Sequence, residues 1–342
     1  MTGRADLAAL QAAANRRAGP RHVPAREIPV PAGLDATDAE LVAAAYSPAW
    51  NLAPEDDAAW QNARREMEAR VAPVLARTRE NLGVSLTRTS AGGIGAYLLV
   101  PDALPEAHRD QLVVFLHGGG YVLGAGESGT AEAALMAAYG GFRVLSLDYR
   151  LAPEARHPAA LDDAVASWRA IVQDTDAARI AVGGLSAGGG LALALVLRIR
   201  DEGLPLPAAL SLGSPWTDVT DTGDSYRTNE WLDNVLVSHD GYLSRAARKY
   251  AGDRDLREPG LSPINGDMRG LPPAILSSGT RDLFLSNTVR THRKLRDAGN
   301  PAELHVYEGM SHAQFALTPG AAVTLTSYRE IAAFFDRHLA GR

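Results

Sequence analysis

The chain of 342 residues is 46% hydrophobic and 22% charged, the balance of a soluble globular protein long enough for one large domain or two smaller ones. A net charge of −6 with no basic block argues against a nucleic-acid partner. With no cysteine, thiolate nucleophiles, disulfides and cysteine-based metal sites are excluded.

The first thirty residues have no apolar core set between a basic start and a cleavage site, and no stretch approaches the ~20 apolar residues that span a bilayer. A cytoplasmic protein without membrane contact is expected. Residues 1–82 are rich in Ala, Arg and Glu, with helical spacing in DAELVAAAY and again from Glu55 to Gly83. There Trp60, Met67, Val71 and Leu75 recur at three- and four-residue steps, the stripe of an amphipathic helix.

Strand-like runs follow: VSLTRTS, IGAYLLVP and QLVVFL, then FRVLSLDYR before a helix near 158–174, and RIAVGG before a helix at 187–201. AALSLGSP, PAILSSGT and AELHVYEG complete the set, with helices near 285–298 and 320–339 after the last two. Alternating strand and helix predicts an α/β fold: a mostly parallel eight-stranded sheet flanked by helices, with an antiparallel edge where the first two strands lack a helix between them. Residues 217–262 or so are polar and break the alternation. They are expected to form helices that, with the 1–82 segment, cap a catalytic domain spanning 83–342.

Residues 182–190 read VGGLSAGGG, between a strand and a helix. Within them Gly184-Leu185-Ser186-Ala187-Gly188 is the G-x-S-x-G nucleophile elbow, and no other serine has glycines at both −2 and +2. The flanking glycines let strand and helix pack around a strained turn that pushes the hydroxyl outward. The following helix aims its N-terminal amides at the reacting centre. The bland alternative is a glycine-rich turn with an N-cap serine.

His117-Gly118-Gly119-Gly120 follows the strand LVVFL and has the form of an oxyanion loop. The amides of Gly118 and Gly119 are expected to join that of Ala187 around the negative oxygen of an attacked carbonyl. A serine needs a base, and the base an orienting carboxylate, in the chain order Ser, Asp or Glu, His. Of the late histidines, His305 falls in a strand, His292 in a helix and His338 near the chain end, whereas His312 falls in the loop GMSHAQF. Asp282, in the loop GTRDLF one strand earlier, is the expected acid. Its competitor Glu308 lies four residues from His312.

HGGGY at 117–121, DYRLAPE at 148–154, HPAALDD at 157–163, GLSAGG at 184–189, SPWTD at 214–218, GTRDL at 279–283 and SHAQF at 311–315 occur in a fixed order. This set resembles the hormone-sensitive-lipase-like α/β-hydrolases over residues 80–340. The resemblance places a catalytic triad on Ser186, Asp282 and His312 and oxyanion donors on Gly118, Gly119 and Ala187, matching the residue-level reading. It also implies an Arg150–Glu154 pair beneath the site. One departure is Leu185, where most members carry Asp or Glu.

The implied activity is serine carboxylic-ester hydrolysis of short- to medium-chain acyl esters, with no metal or organic cofactor. Leu185 and GTRDLFLSNTVR resemble the subgroup of lactone and acetyl hydrolases of small natural products. Amide cleavage on the same triad and a non-catalytic ligand receptor are the rivals, the latter disfavoured by the presence of His312. Tyr121 and Trp216 are positioned either to line the substrate pocket or to pack in the core, and Tyr46, Trp50 and Trp231 stand in the cap. A homodimer through the last strand or helix is an open possibility.

Overall fold

A computed structural model describes residues 25–339 continuously, together with residues 9, 12, 19, 20 and 23. Most of the first 24 residues of the expected cap segment 1–82 lie outside the described residues. Eight strands form one sheet: β1 (Val84–Ala91), β2 (Ile94–Pro101), β3 (Leu112–Leu116), β4 (Arg143–Leu147), β5 (Ile180–Leu185), β6 (Ala209–Gly213), β7 (Ala274–Gly279) and β8 (Ala302–Tyr307). Their order is β1-β2-β4-β3-β5-β6-β7-β8. β2 runs antiparallel to both β1 and β4, and all pairs from β4 to β8 are parallel. The antiparallel edge arises because β1 and β2 are joined by a tight turn, while parallel pairing needs a long crossover.

Two apolar clusters sandwich the sheet. Along β3, Val113 and Phe115 face one cluster, while Val114 and Leu116 face the other, the two-residue alternation of a strand buried on both sides. Helices α3 (Ala131–Gly140) and α9 (Ala322–His338) supply the first cluster, through residues such as Met136 and Phe335. α4 (Ala159–Asp174), α5 (Ala187–Asp201) and α8 (Leu285–Asp297) pack into the second.

α1 (Ala36–Ala43) and α2 (Asp57–Asn81) precede the sheet. Asp56 caps α2 by accepting from the Ala59 amide at 2.8 Å, and Trp60 is its buried anchor. Met67, Val71 and Leu75 are only half-buried, so α2 rides on the surface of the fold.

The insertion between β6 and β7 is less helical than expected. It contains α6 (Ser225–Thr228), a wide turn at His239–Leu243 and α7 (Ser244–Ala251), joined by irregular backbone. It meets the N-terminal segment directly. Ser47 N donates to Asn234 O and Tyr242 N to Trp50 O, both at 2.8 Å, and Lys249 pairs with Asp57 at 2.6 Å. No helix of the described residues is long and apolar enough to cross a membrane.

Candidate active site

Ser186 stands between β5 and α5 with φ 58° and ψ −122°, a conformation that costs a non-glycine residue energy and is retained where the surroundings dictate it. Its neighbours explain the glycines. A Cβ on Gly188 would lie 1.9 Å from Leu116 O, at the end of β3, so only glycine lets α5 approach that strand. Ser186 N donates to Gly213 O at 2.9 Å, tying the turn to β6.

His312 reaches this serine from the loop after β8. Its Nε2 lies 2.9 Å from Ser186 Oγ, and its Nδ1 lies 3.1 Å from Asp282 Oδ1. Asp282 is fully buried just after β7. It accepts from Ser214 Oγ at 2.6 Å, Ser278 Oγ at 2.8 Å and the Phe284 amide at 2.8 Å. Burial opposes its charge, but His312, Ser214 and that amide outweigh burial and hold the carboxyl below the usual carboxylate range. Three side chains distant in sequence therefore meet in the order serine, histidine and aspartate. Glu308 takes no part in this contact.

The Gly118-Gly119-Gly120 loop faces Ser186 from the end of β3. Gly119 has φ 111°, and its carbonyl accepts from the Leu123 amide at 2.9 Å and from Tyr242 Oη of the insertion at 2.7 Å. Tyr149 braces the loop from below, donating to His117 O at 2.7 Å and stacking on the His117 ring at 4.2 Å. The Gly118 amide faces the buried Glu132 carboxyl. Burial raises the pKa of that carboxyl, and its own amide and that of Gly118 offset part of the rise. Among the described residues no hydrogen bond to a protein acceptor engages the amides of Gly118, Gly119, Gly120 or Ala187.

Two further expectations are corrected. Tyr121 and Trp216 do not line the pocket; they are 2% and 0% exposed. Tyr121 stacks on Tyr250 at 3.9 Å, and Trp216 on Phe284 at 5.6 Å, with Phe284 edge-on to His312 at 4.8 Å. They form an apolar wall behind His312, because aromatic bodies of this size are worth most when fully desolvated. Arg150 does not pair with Glu154 either. It grips buried Asp163 through Nε at 2.9 Å and Nη2 at 2.6 Å, leaving Glu154 to Arg64.

Leu185, in place of the usual acid, is buried. A Cβ on Gly213 would approach its Cδ1 to 2.6 Å, so this side chain fills space an acid would have needed partners to occupy. A cavity of about 320 Å³ opens beside Gly118 and Gly119, walled by Trp50, Met67, Leu123, Leu236 and Leu317, with Glu132 as a polar patch. Trp50 of the expected cap aromatics therefore reaches the cavity, whereas Tyr46 and Trp231 are exposed, Trp231 packing edge-on to Trp50 at 5.4 Å. Among the described residues no cluster of three or more His, Asp or Glu could hold a metal ion.

Residues 113–316 match the family described by the alpha/beta hydrolase fold. An esterase of known structure, E25, is 37% identical, superposes with a TM-score of 0.90, and covers 93% of this chain and 99% of its own. The chain belongs to the α/β-hydrolase family. An esterase from the bacterial hormone-sensitive lipase family is 31% identical with a TM-score of 0.75, over 82% of this chain and 92% of that one. An acetyl-hydrolase of Streptomyces hygroscopicus is 35% identical over 209 residues, 61% of this chain and 69% of the relative. These likenesses place this α/β-hydrolase on the hormone-sensitive-lipase-like branch.

Proposed function

We propose that this α/β-hydrolase is a serine carboxylesterase that splits small, water-dispersed acyl esters through an acyl-enzyme on Ser186. The observation that carries the reading is the continuous contact from Ser186 Oγ through both nitrogens of His312 to Asp282 Oδ1. In the first step Ser186 Oγ bonds to the ester carbonyl carbon while its proton passes to His312 Nε2. The Asp282 carboxylate holds the Nδ1 proton and stabilises the imidazolium. The carbonyl oxygen, now negative, is taken by amides of the Gly118-Gly119-Gly120 loop together with that of Ala187.

The carbon–alkoxy bond then breaks, and His312 returns the proton to the departing alcohol. Water repeats the sequence against the acyl group: its proton goes to His312, the acid departs, and Ser186 recovers its hydrogen. No redox partner is needed for either half.

The cavity volume of about 320 Å³ lies at the small end of ligand sites, which favours short acyl groups over long chains. The relatives named acetyl-hydrolase agree with that preference. Comparing turnover of p-nitrophenyl acetate, butyrate and octanoate by the wild type and by Ser186→Ala tests the reading. The variant is expected to lose about 10⁶ in kcat, and the wild type to favour the two shorter esters. Undiminished hydrolysis by the variant would remove Ser186 from the chemistry.

A further inference from the structure

The stretch Asn229-Glu230-Trp231-Leu232-Asp233-Asn234 belongs to the insertion, not to the sheet, yet its polar side chains bind the two loops that carry the base and the acid. Asp233 is fully buried. Its Oδ2 accepts from the Leu283 amide at 2.9 Å, directly after Asp282, and from the amide of His312 itself at 3.3 Å. Its Oδ1 accepts from Val235 and Leu236 at 2.8 and 3.0 Å, which closes the insertion on itself. Asn229 Nδ2 donates to Asp282 O at 2.9 Å, and the Asn234 amide donates to Ser311 Oγ at 3.0 Å, one residue before His312.

A buried carboxylate with no cation of its own is costly unless amides satisfy it, so its presence here calls for a reason. We propose that Asp233 is a positioning residue for the ester-hydrolysing site: from the insertion, its carboxylate clamps the loops of Asp282 and His312 at the spacing proton transfer requires. The inference rests on the carboxylesterase reading and assigns the insertion a part in it. Asp233 touches neither substrate nor the reacting hydroxyl. It acts through the backbone of the two residues that do, and through the field its charge adds to that of Asp282 at the imidazolium.

Asp282 and His312 are the ionisable groups that face Asp233, and burial together with Asp282 pushes the Asp233 carboxyl up to about 6, against the pull of His312. Asp233→Asn keeps the shape but sets an NH2 group against two donor amides and removes the charge. With p-nitrophenyl butyrate, kcat is expected to fall by about ten- to a hundredfold, the cost of a small misplacement of catalytic groups, with KM little changed. The ratio of wild-type to variant kcat should be largest above about pH 6 and shrink below it, where the wild-type carboxyl is itself protonated.

Asp233→Ser, which leaves room for a water to accept the amides, repeats the test should the Asn variant not fold. A variant with wild-type kcat, or a ratio that is flat with pH, overturns the proposal, as does failure of both variants to fold, which would make Asp233 a structural group only. A wild type that turns over no p-nitrophenyl ester fails the carboxylesterase reading instead. An active wild type with an unaltered Asp233→Asn variant fails this inference alone.

Discussion

The carboxyls of Asp282 and Asp233 take successive amides of one turn: Phe284 N donates to Asp282 at 2.8 Å, and Leu283 N donates to Asp233 at 2.9 Å. Two buried acids this close cannot ionise independently, and the surroundings push them apart. Asp282, held by His312 and Ser214, keeps its charge to low pH, whereas Asp233 gains a proton first, near pH 6.

The linkage has opposite signs for the two. Asp233 has a folded pKa above the ~3.9 of an unfolded Asp, so the native state binds more protons between about pH 4 and 6 and loses stability from this group as pH rises through that window. Asp282 contributes stability above the unfolded pKa and loses it as pH falls through its depressed folded value. The Tm of Asp233→Asn relative to wild type should therefore improve as pH rises from 4 to 7, a trend that calorimetry at stepped pH would reveal. A gap that widens against the variant over the same range would contradict it.

Ser214→Ala removes the donor at 2.6 Å from Asp282 and the acceptor of the Ala313 amide at 3.2 Å. Ser278 still donates to the same carboxylate oxygen, so the acid is not stripped. We expect a stability loss of about 1–3 kcal/mol in urea titrations, the range for an unmade buried bond to a charged group. kcat should drop as the Asp282 carboxylate loses a partner, and steady-state kinetics measure that drop.

Tyr242→Phe leaves the ring packed 6.2 Å from Trp60 but deletes the hydroxyl that fixes Gly119 O. An oxyanion donor matters most in the transition state, so kcat should fall by about tenfold or less while KM holds. A change confined to KM would show instead that Tyr242 shapes the cavity.

Gly188→Ala drives a methyl into the backbone oxygens of Leu116 and His117, at 1.9 and 2.4 Å. Either α5 or the start of the Gly118-Gly119-Gly120 loop must shift. Overpacking of this kind typically costs about 1–3 kcal/mol, and here the displaced groups are those the proposed mechanism uses. Thermal unfolding should reveal a lower Tm, and ester turnover should fall much further than that stability loss alone requires.

The central site was legible because its parts obey local rules. A serine framed by glycines, a glycine loop after an apolar strand, and an acid and a histidine in successive strand-end loops each sit at a junction that the strand–helix alternation locates. What stayed hidden depends on packing between distant segments. Nothing in DYRLAPE tells that Arg150 turns to Asp163 while Glu154 meets Arg64 from α2. AEAALMAAYG is apolar almost all round, so α3 shows no amphipathic stripe, although seven of its ten residues are buried. The insertion reads as polar because several of its buried side chains, Asp233, Asn229 and Asn234 among them, are satisfied largely by backbone groups of distant segments.

The joints Ser47–Asn234 and Trp50–Tyr242 link stretches nearly two hundred positions apart through backbone bonds that no side-chain exchange can sever. The roof of the cavity is thus a two-piece arch, each piece lacking its keystone without the other. Trimming the leading arm to admit bulkier esters would therefore loosen Tyr242 and, through it, the carbonyl of Gly119. Widening the entrance calls for redesign of both halves together, with their shared seam preserved.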